Sequence, residues 1–334
     1  VDGTACGLRP AGNFSKIIDI ENCPVQSDRA NTILNLFRKV LKQFDSAGYR
    51  RENGTGIIKY ATIRSGKTGS LILTCDRENL ENDSSCVFHD FSQVLIQEIQ
   101  NNSSENFSLI ICTTERNSDL SCTPGGKVIY GSETFTIEMG GLQFQTPYDA
   151  FFQPNPECFQ LLLEKSSEAI LQNHDLLTEG NLLDLYSGSG ILSAVLLEKL
   201  QPVLKNKIKN IKGYDFTDSA VNNAEKNFAS FQGFLSFHSA DLNKKFSDDE
   251  SPFRDPVSLM IADPPRAGIS PNLLKNIVES SEAPLFLYIS CNPESQIRDL
   301  KKLIEKYTPV KAWIADCFPH TGHLEQAVLL KLKD

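Results

Sequence analysis

Apolar runs of strand length, each ending in polar residues and each followed by a helical stretch, organise the C-terminal half of this 334-residue chain. Leu182–Tyr186, Ile211–Asp215, Phe234–His238, Val257–Ala262 and Leu285–Ser290 read as strands. Between them, Ile191–Leu200 and Asp218–Phe231 read as helices, the second with Val221, Ala224, Phe228 and Phe231 along one side. Pro271 and Pro293 fit the first position of two more helices, with Ser270 and Asn292 as their caps. Leu285–Ser290 is apolar without alternation, the pattern of a strand buried on both faces. Alternating β and α predicts an α/β fold, a doubly wound parallel sheet. Val310–Asp316 and Glu325–Lys331 have no helix between them and are expected to close one edge as an antiparallel hairpin.

The N-terminal part lacks this alternation. Ala30, Ile33, Leu34, Phe37, Val40, Leu41 and Phe44 recur at helical spacing, with Ser27 or Asp28 as cap. Gly56–Arg64 and Ser70–Cys75 read as strands around the turn Ser65–Gly69, and a second helix is expected over Phe91–Ile99. Further strands are expected at Phe107–Cys112, Lys127–Tyr130, Thr134–Glu138 and Leu142–Thr146, and a helix at Pro156–Gln172. The reading is therefore a smaller α+β domain over residues 1–146, followed by the α/β domain over 147–334.

Lys and Arg number 33 against 42 Asp and Glu, a net charge of −9, which disfavours a protein that coats nucleic acid non-specifically but leaves room for a local basic face. Nine cysteines, odd in number and irregularly spaced with no tight Cys-x-x-Cys pair, fit reduced thiols in a cytoplasmic setting better than a disulfide framework. No membrane span or signal peptide is expected, and no obligate protein partner is evident. The chain begins with Val rather than Met, so its true N-terminus is expected to lie upstream.

In doubly wound sheets, ligands sit at the carboxyl ends of the strands. The first such end reads Asp184-Leu-Tyr186-Ser-Gly188-Ser-Gly190, where Gly188 and Gly190 permit a sharp turn and a close approach to a ligand. Ser193 stands where a dinucleotide fingerprint would have its third glycine, which argues against NAD or FAD. Asp215, 27 positions after Gly188, ends the next strand, where a carboxylate can accept ribose hydroxyls. Asp241 follows the third, and Asp263-Pro-Pro-Arg266 the fourth. Acidic groups at several strand ends suit a cationic, ribose-bearing ligand. Cys291 follows the fifth strand at a helix N-terminus, a position expected to lower its pKa and favour thiolate. His320 and His323 lie three apart in the last turn with no third ligand evident, so no metal is expected. Glu325, on the returning strand, is expected to face the sheet edge near Cys291.

Taken together, Phe151-Phe-Gln153-Pro-Asn155, the Asp184–Gly190 segment, Asp263-Pro-Pro-Arg-Ala-Gly268, Ser290-Cys-Asn-Pro293 and Phe318-Pro-His-Thr-Gly-His-Leu-Glu325 resemble the RNA (uracil-C5)-methyltransferases that modify uridines in tRNA and 23S rRNA. The match runs from about residue 140 to the C-terminus, and more loosely over 14–140. The resemblance implies a Rossmann-like methyltransferase domain, with S-adenosylmethionine as cofactor and S-adenosylhomocysteine as product. It implies Cys291 as nucleophile, Glu325 as base, and Gln153, Tyr186, Gly188, Gly190, Asp215, Asp241 and Asp263 as cofactor-binding residues. Ser187 stands where many members have Cys. Cys23, in Glu-Asn-Cys-Pro, resembles a distant ligand of the rRNA enzymes' iron–sulfur cluster, so a cluster is expected only with a longer N-terminus.

The resemblance implies methylation of a uridine C5 through a covalent bond from Cys291 to C6, with an RNA substrate. The Cys23 match leans toward 23S rRNA, with tRNA as the alternative. Arg266 and Arg298 are candidates for phosphate contacts. An amino-group methyltransferase fits less well, because Arg266 occupies the place of its stacking aromatic and an amine needs no thiol. A non-catalytic RNA-binding protein would not require Cys291 and Glu325.

Overall fold

Burial of alternate side chains on opposite faces organises the larger part of the structure. This computed structural model describes residues 5–10, 13, 16–102, 106–150, 152–204, 207–228, 234–244 and 251–334. Phe151 and Phe231, both used in the sequence reading, lie outside them. The chain divides into two compact units, one of Val1–Ile137 with Pro147–Asp149, the other of Glu138–Thr146 with Ala150–Asp334.

In the first unit, β1 (Gly7–Leu8) and β2 (Ile18–Asp19) form a short antiparallel pair that sequence periodicity does not reveal. Helix α1 (Asp28–Gln43) begins at Ser27, whose hydroxyl accepts from the Ala30 amide. A mixed sheet follows, built from β3 (Ile58–Ser65), β4 (Gly69–Asp76), β5 (Phe107–Thr114) and β6 (Lys127–Tyr130) in that spatial order. The short α2 (Arg77–Glu81) and the longer α3 (Val87–Asn102) connect β4 to β5, which run parallel. Ile33, Phe37, Val40 and Leu41 of α1 and Phe91 and Leu95 of α3 pack on Leu71, Leu73, Leu109 and Ile111. Helix α3 starts earlier and ends later than the apolar stretch Phe91–Ile99 predicts, because helical backbone continues past the buried stripe. Strands β7 (Thr134–Met139) and β8 (Leu142–Pro147) form a separate two-stranded sheet.

The second unit continues through α4 (Pro156–Gln172), β9 (Gly180–Leu185), α5 (Ile191–Leu204), β10 (Ile208–Asp215), α6 (Asp218–Asn227) and β11 (Phe234–Ser239). It ends with β12 (Val257–Ala262), α7 (Pro271–Ser280), β13 (Leu285–Ser290), α8 (Pro293–Leu303), β14 (Tyr307–Ala315) and β15 (Glu325–Leu332). The seven strands lie in the order β11-β10-β9-β12-β13-β15-β14. The first five are parallel, and β15 is antiparallel to both its neighbours. This is a doubly wound, Rossmann-like sheet.

Leu183, Leu185, Met260, Ala262, Phe286, Tyr288, Val328 and Leu330 share a core with Leu273 and Ile277 of α7 and Leu303 of α8. Their sequence neighbours Leu182, Ile261, Leu287 and Leu329 point the other way and are also buried. Both faces are therefore covered, as a parallel sheet requires. Ser270 caps α7 by accepting from the Leu273 amide, and Asn292 caps α8 by accepting from the Glu294 amide, as the two prolines predict.

The terminal hairpin is antiparallel and closes one edge of the sheet, as expected; within it β15 lies beside β13, and β14 is the edge strand. The reason is burial. Ala327–Leu330 are buried, whereas Val310 and Ile314 of β14 are exposed. Replacing Phe286, fully buried in this sheet, with alanine should cost about 3–5 kcal/mol of unfolding free energy in urea titration.

Candidate active site

One edge of the seven-stranded sheet collects the polar residues singled out in the sequence. The carboxyl ends of β9, β10, β11, β12 and β13 lie along it, with the amino end of the antiparallel β15. Tyr186 follows β9, Asp215 ends β10, Asp241 lies two residues past β11, and Asp263 and Cys291 follow β12 and β13. The last paired residues of β13 and β15 are Ser290 and Gln326. One step further along each strand come Cys291 and Glu325, so the strand register sets thiol and carboxyl side by side.

The turn after β9 is shaped by strain and by glycine. Tyr186 adopts a left-handed backbone (φ 65°), and its hydroxyl accepts from the Ser270 amide at 3.2 Å. Gly188 (φ 53°) donates its amide to Asp215 Oδ2 at 2.9 Å, and a Cβ there would meet open space. Gly190 (φ 75°) has a second reason to lack a side chain, because its Cβ would lie 2.6 Å from the Phe228 ring. The other Asp215 oxygen accepts from the Thr217 amide at 2.8 Å. Asp215 thus braces the glycine turn, leaving lone pairs for a ligand. Asp241 accepts from the backbone and side-chain nitrogens of Asn243, at 3.0 and 2.9 Å, and these bonds lower its pKa.

Three buried or partly buried carboxyls stand at this edge. Burial pushes Asp184 up to about 7, with the Ser193 hydroxyl pulling against it and Asp263 and Asp215 adding to it. Ser193 donates to Asp184, which explains why a serine occupies the fingerprint's glycine position. Burial pushes Asp263 up to about 7 against the pull of the Gln153 amide. Burial, then the Asp263 charge, pushes Glu325 up to about 8, while Gln153 and Arg266 pull it down. Neither Glu325 oxygen meets a partner at hydrogen-bonding geometry among the described residues, nor do Gln153 Oε1, Ser187 Oγ and Ser189 Oγ. These orphaned polar atoms, with the open space at Gly188, fit a polar ligand laid across the glycine turn.

Cys291 is partly buried and departs from expectation. Its pKa is raised, not lowered: burial acts first, the Glu325 and Asp263 charges add to it, and Arg266 opposes them. The α8 N-terminus is outweighed by two acidic neighbours and desolvation. The Arg298 guanidinium donates to the Ala267 carbonyl at 2.7 Å and pairs with Asp299 at 2.8 Å, while its side chain remains largely exposed. Arg266 stays exposed beside the pair. His320 and His323 belong to no group of three or more metal-ligating side chains among the described residues.

The sequence reading missed Phe216. This ring, directly after Asp215, is 74% exposed. A bulky aromatic following a strand-ending acid was the available signal.

A carboxyl whose pKa is higher in the folded than in the unfolded chain binds its proton more tightly when folded, so stability falls as pH rises between the two values. For Glu325 these lie near 4.5 and about 8. Glu325→Gln should therefore stabilise the protein relative to wild type above pH 8 and change it little near pH 4, as read by urea unfolding across that range.

The family model described as tRNA (uracil-5-)-methyltransferase matches residues 97–333. A relative from Leptospira interrogans, described as an uncharacterized RNA methyltransferase, is 30% identical over 99% of this chain and 70% of its own length. Another so described, from Bacteroides thetaiotaomicron, is 27% identical over 98% of this chain and 69% of its own. Among solved structures, the tRNA (uracil-54, C5)-methyltransferase of Pyrococcus abyssi, determined with S-adenosyl-L-homocysteine, superposes with a TM-score of 0.69 at 24% identity, covering 95% of this chain and 71% of that one. The fold is shared with that structure, and the extent of the family match makes this chain a member of the tRNA (uracil-5-)-methyltransferase family, an RNA methyltransferase.

Proposed function

We propose that this protein methylates C5 of a uridine in RNA, with S-adenosylmethionine as donor and Cys291 bonded transiently to C6. The observation that carries this reading is the juxtaposition of Cys291 and Glu325 across β13 and β15 at the ligand-binding edge. The donor, when bound, supplies an activated methyl on a sulfonium. Gln153, Tyr186, Gly188, Gly190, Asp215, Asp241 and Asp263 would hold it, and the exposed face of Phe216 offers its adenine a stacking surface.

C5 of a neutral uracil is a weak nucleophile. Addition of the Cys291 sulfur to C6 turns the ring into an enolate and makes C5 nucleophilic. Once C5 carries the methyl group, Glu325 removes its proton, the C5–C6 double bond reforms, and the sulfur leaves as thiolate. A carboxyl held up to about 8 is matched to that proton transfer near neutral pH. The target base must leave its stack to reach this edge.

Two RNA classes are in play. The Cys23 resemblance leans toward 23S rRNA, whereas the family description and the Pyrococcus abyssi enzyme favour tRNA. Nucleoside analysis of tRNA and rRNA from cells with and without the gene separates them.

Cys291→Ala should abolish methyl transfer while S-adenosylmethionine affinity by calorimetry stays within about twofold of wild type; full turnover by this variant would overturn the mechanism. Glu325→Gln should accumulate a slow-migrating protein–RNA species on denaturing gels, because addition proceeds and elimination stalls. Phe216→Ala should weaken S-adenosylmethionine binding by about tenfold, the loss of one stacked base.

A further inference from the structure

Asp299, on α8, is fully buried yet belongs to none of the groups assigned above. One oxygen accepts from the Tyr288 hydroxyl at 2.7 Å and from the Ile269 amide at 2.8 Å. The other accepts from Arg298 Nε and a terminal Arg298 nitrogen, at 3.0 and 2.8 Å. That nitrogen of Arg298 also donates to the Ala267 carbonyl at 2.7 Å, and the Asn292 amide donates to the Arg266 carbonyl at 2.9 Å. Two successive residues of the loop after β12, Arg266 and Ala267, and Ile269 two positions further on are thereby bonded to α8 and its cap. Gly268 sits inside this latch at φ 82°, where a Cβ would come within 2.5 Å of Asp299 Oδ2.

The loop carries Arg266, a cation that acts on both Cys291 and Glu325. Facing Cys291 are Glu325 and Asp263, opposed by Arg266. Facing Glu325 are Asp263 and the Gln153 amide, again with Arg266, and Glu325 in turn acts on the buried Cys317 thiol. Burial acts first on the thiol, and among the charges Arg266 opposes Glu325 and Asp263, so displacing it disfavours ionisation of the sulfur. A burial as complete as that of Asp299 is costly unless every lone pair is used, and the bonds it makes are to the loop, to β13 and to α8.

We propose that Asp299 is a positioning residue that latches the Asp263–Ile269 loop to α8 and so holds Arg266 beside Cys291 and Glu325. The latch acts through Arg266 and touches no reacting atom. It rests on the proposed role of Cys291 only for its catalytic consequence, because thiol ionisation can be measured without RNA.

The test is the pH dependence of Cys291 alkylation by iodoacetamide, followed by peptide mass spectrometry to separate this thiol from the other eight. Asp299→Leu should raise the alkylation midpoint, because loss of a nearby cation disfavours thiolate. Arg266→Gln should raise it by a similar amount, and the double variant no further, since both changes remove one interaction. Asp299→Asn, which keeps an oxygen for the Ile269 amide but turns its NH2 toward Arg298, should shift the midpoint in the same direction and less than Asp299→Leu. Arg298→Met removes only the outer strand of the latch from an exposed side chain, and it should shift the midpoint less, in the same direction; it also serves should Asp299→Leu not fold. A wild-type midpoint in a folded Asp299→Leu or in Arg298→Met, or shifts that add in the double variant, would overturn the proposal. Failure of wild type to methylate uridine would instead overturn the functional reading and leave the alkylation result standing.

Discussion

The antiparallel pairing of β15 against β13 is the constraint on which the candidate site depends. Cys291 and Glu325 are 34 positions apart in sequence, with α8 and β14 between them. Only when the last strand folds back between β13 and β14 do their strand ends coincide. The core pays no penalty for this insertion, because Ala327, Leu329 and Leu330 replace water with apolar neighbours along the buried strand. Stability and chemistry are thus coupled at one strand pairing.

The second organising element is a concentration of carboxyl groups where solvent is scarce. Asp184, Asp263 and Glu325 are all held well above the usual carboxylate range, with burial as the leading cause in each. A fold optimised only for stability would not keep several such groups together. Asp184 is satisfied in part by the Ser193 hydroxyl of α5, whereas Glu325 has no bonded partner among the described residues. That difference separates a carboxyl tied to a helix side chain from one left free to exchange a proton.

The legible part of the fold was the part in which local chemistry and long-range packing agree. Pro271 after Ser270 and Pro293 after Asn292 marked helix starts that the structure reproduces, and the unbroken apolar run of β13 marked a strand buried on both faces. The short β1–β2 pair escaped because two-residue strands carry no periodicity. At the site, the strand-end residues were legible because a βα alternation dictates which edge they share. The thiol's electrostatics were not, since the helix N-terminus is visible in sequence while the carboxylates opposing it arrive from other strands.

The sequence by itself determined the element order, the caps, the chemical identity of the strand-end residues and the family to which the chain belongs, because these depend on local pattern and on motifs. Tertiary structure alone decided that β15 is interior and β14 the edge, that Arg298 is engaged by Asp299 and Ala267, and that Cys291 is raised rather than lowered. Each of those outcomes is a sum over neighbours distant in the chain, and the sign of such a sum is set by which charges and surfaces folding brings within a few ångströms of one another.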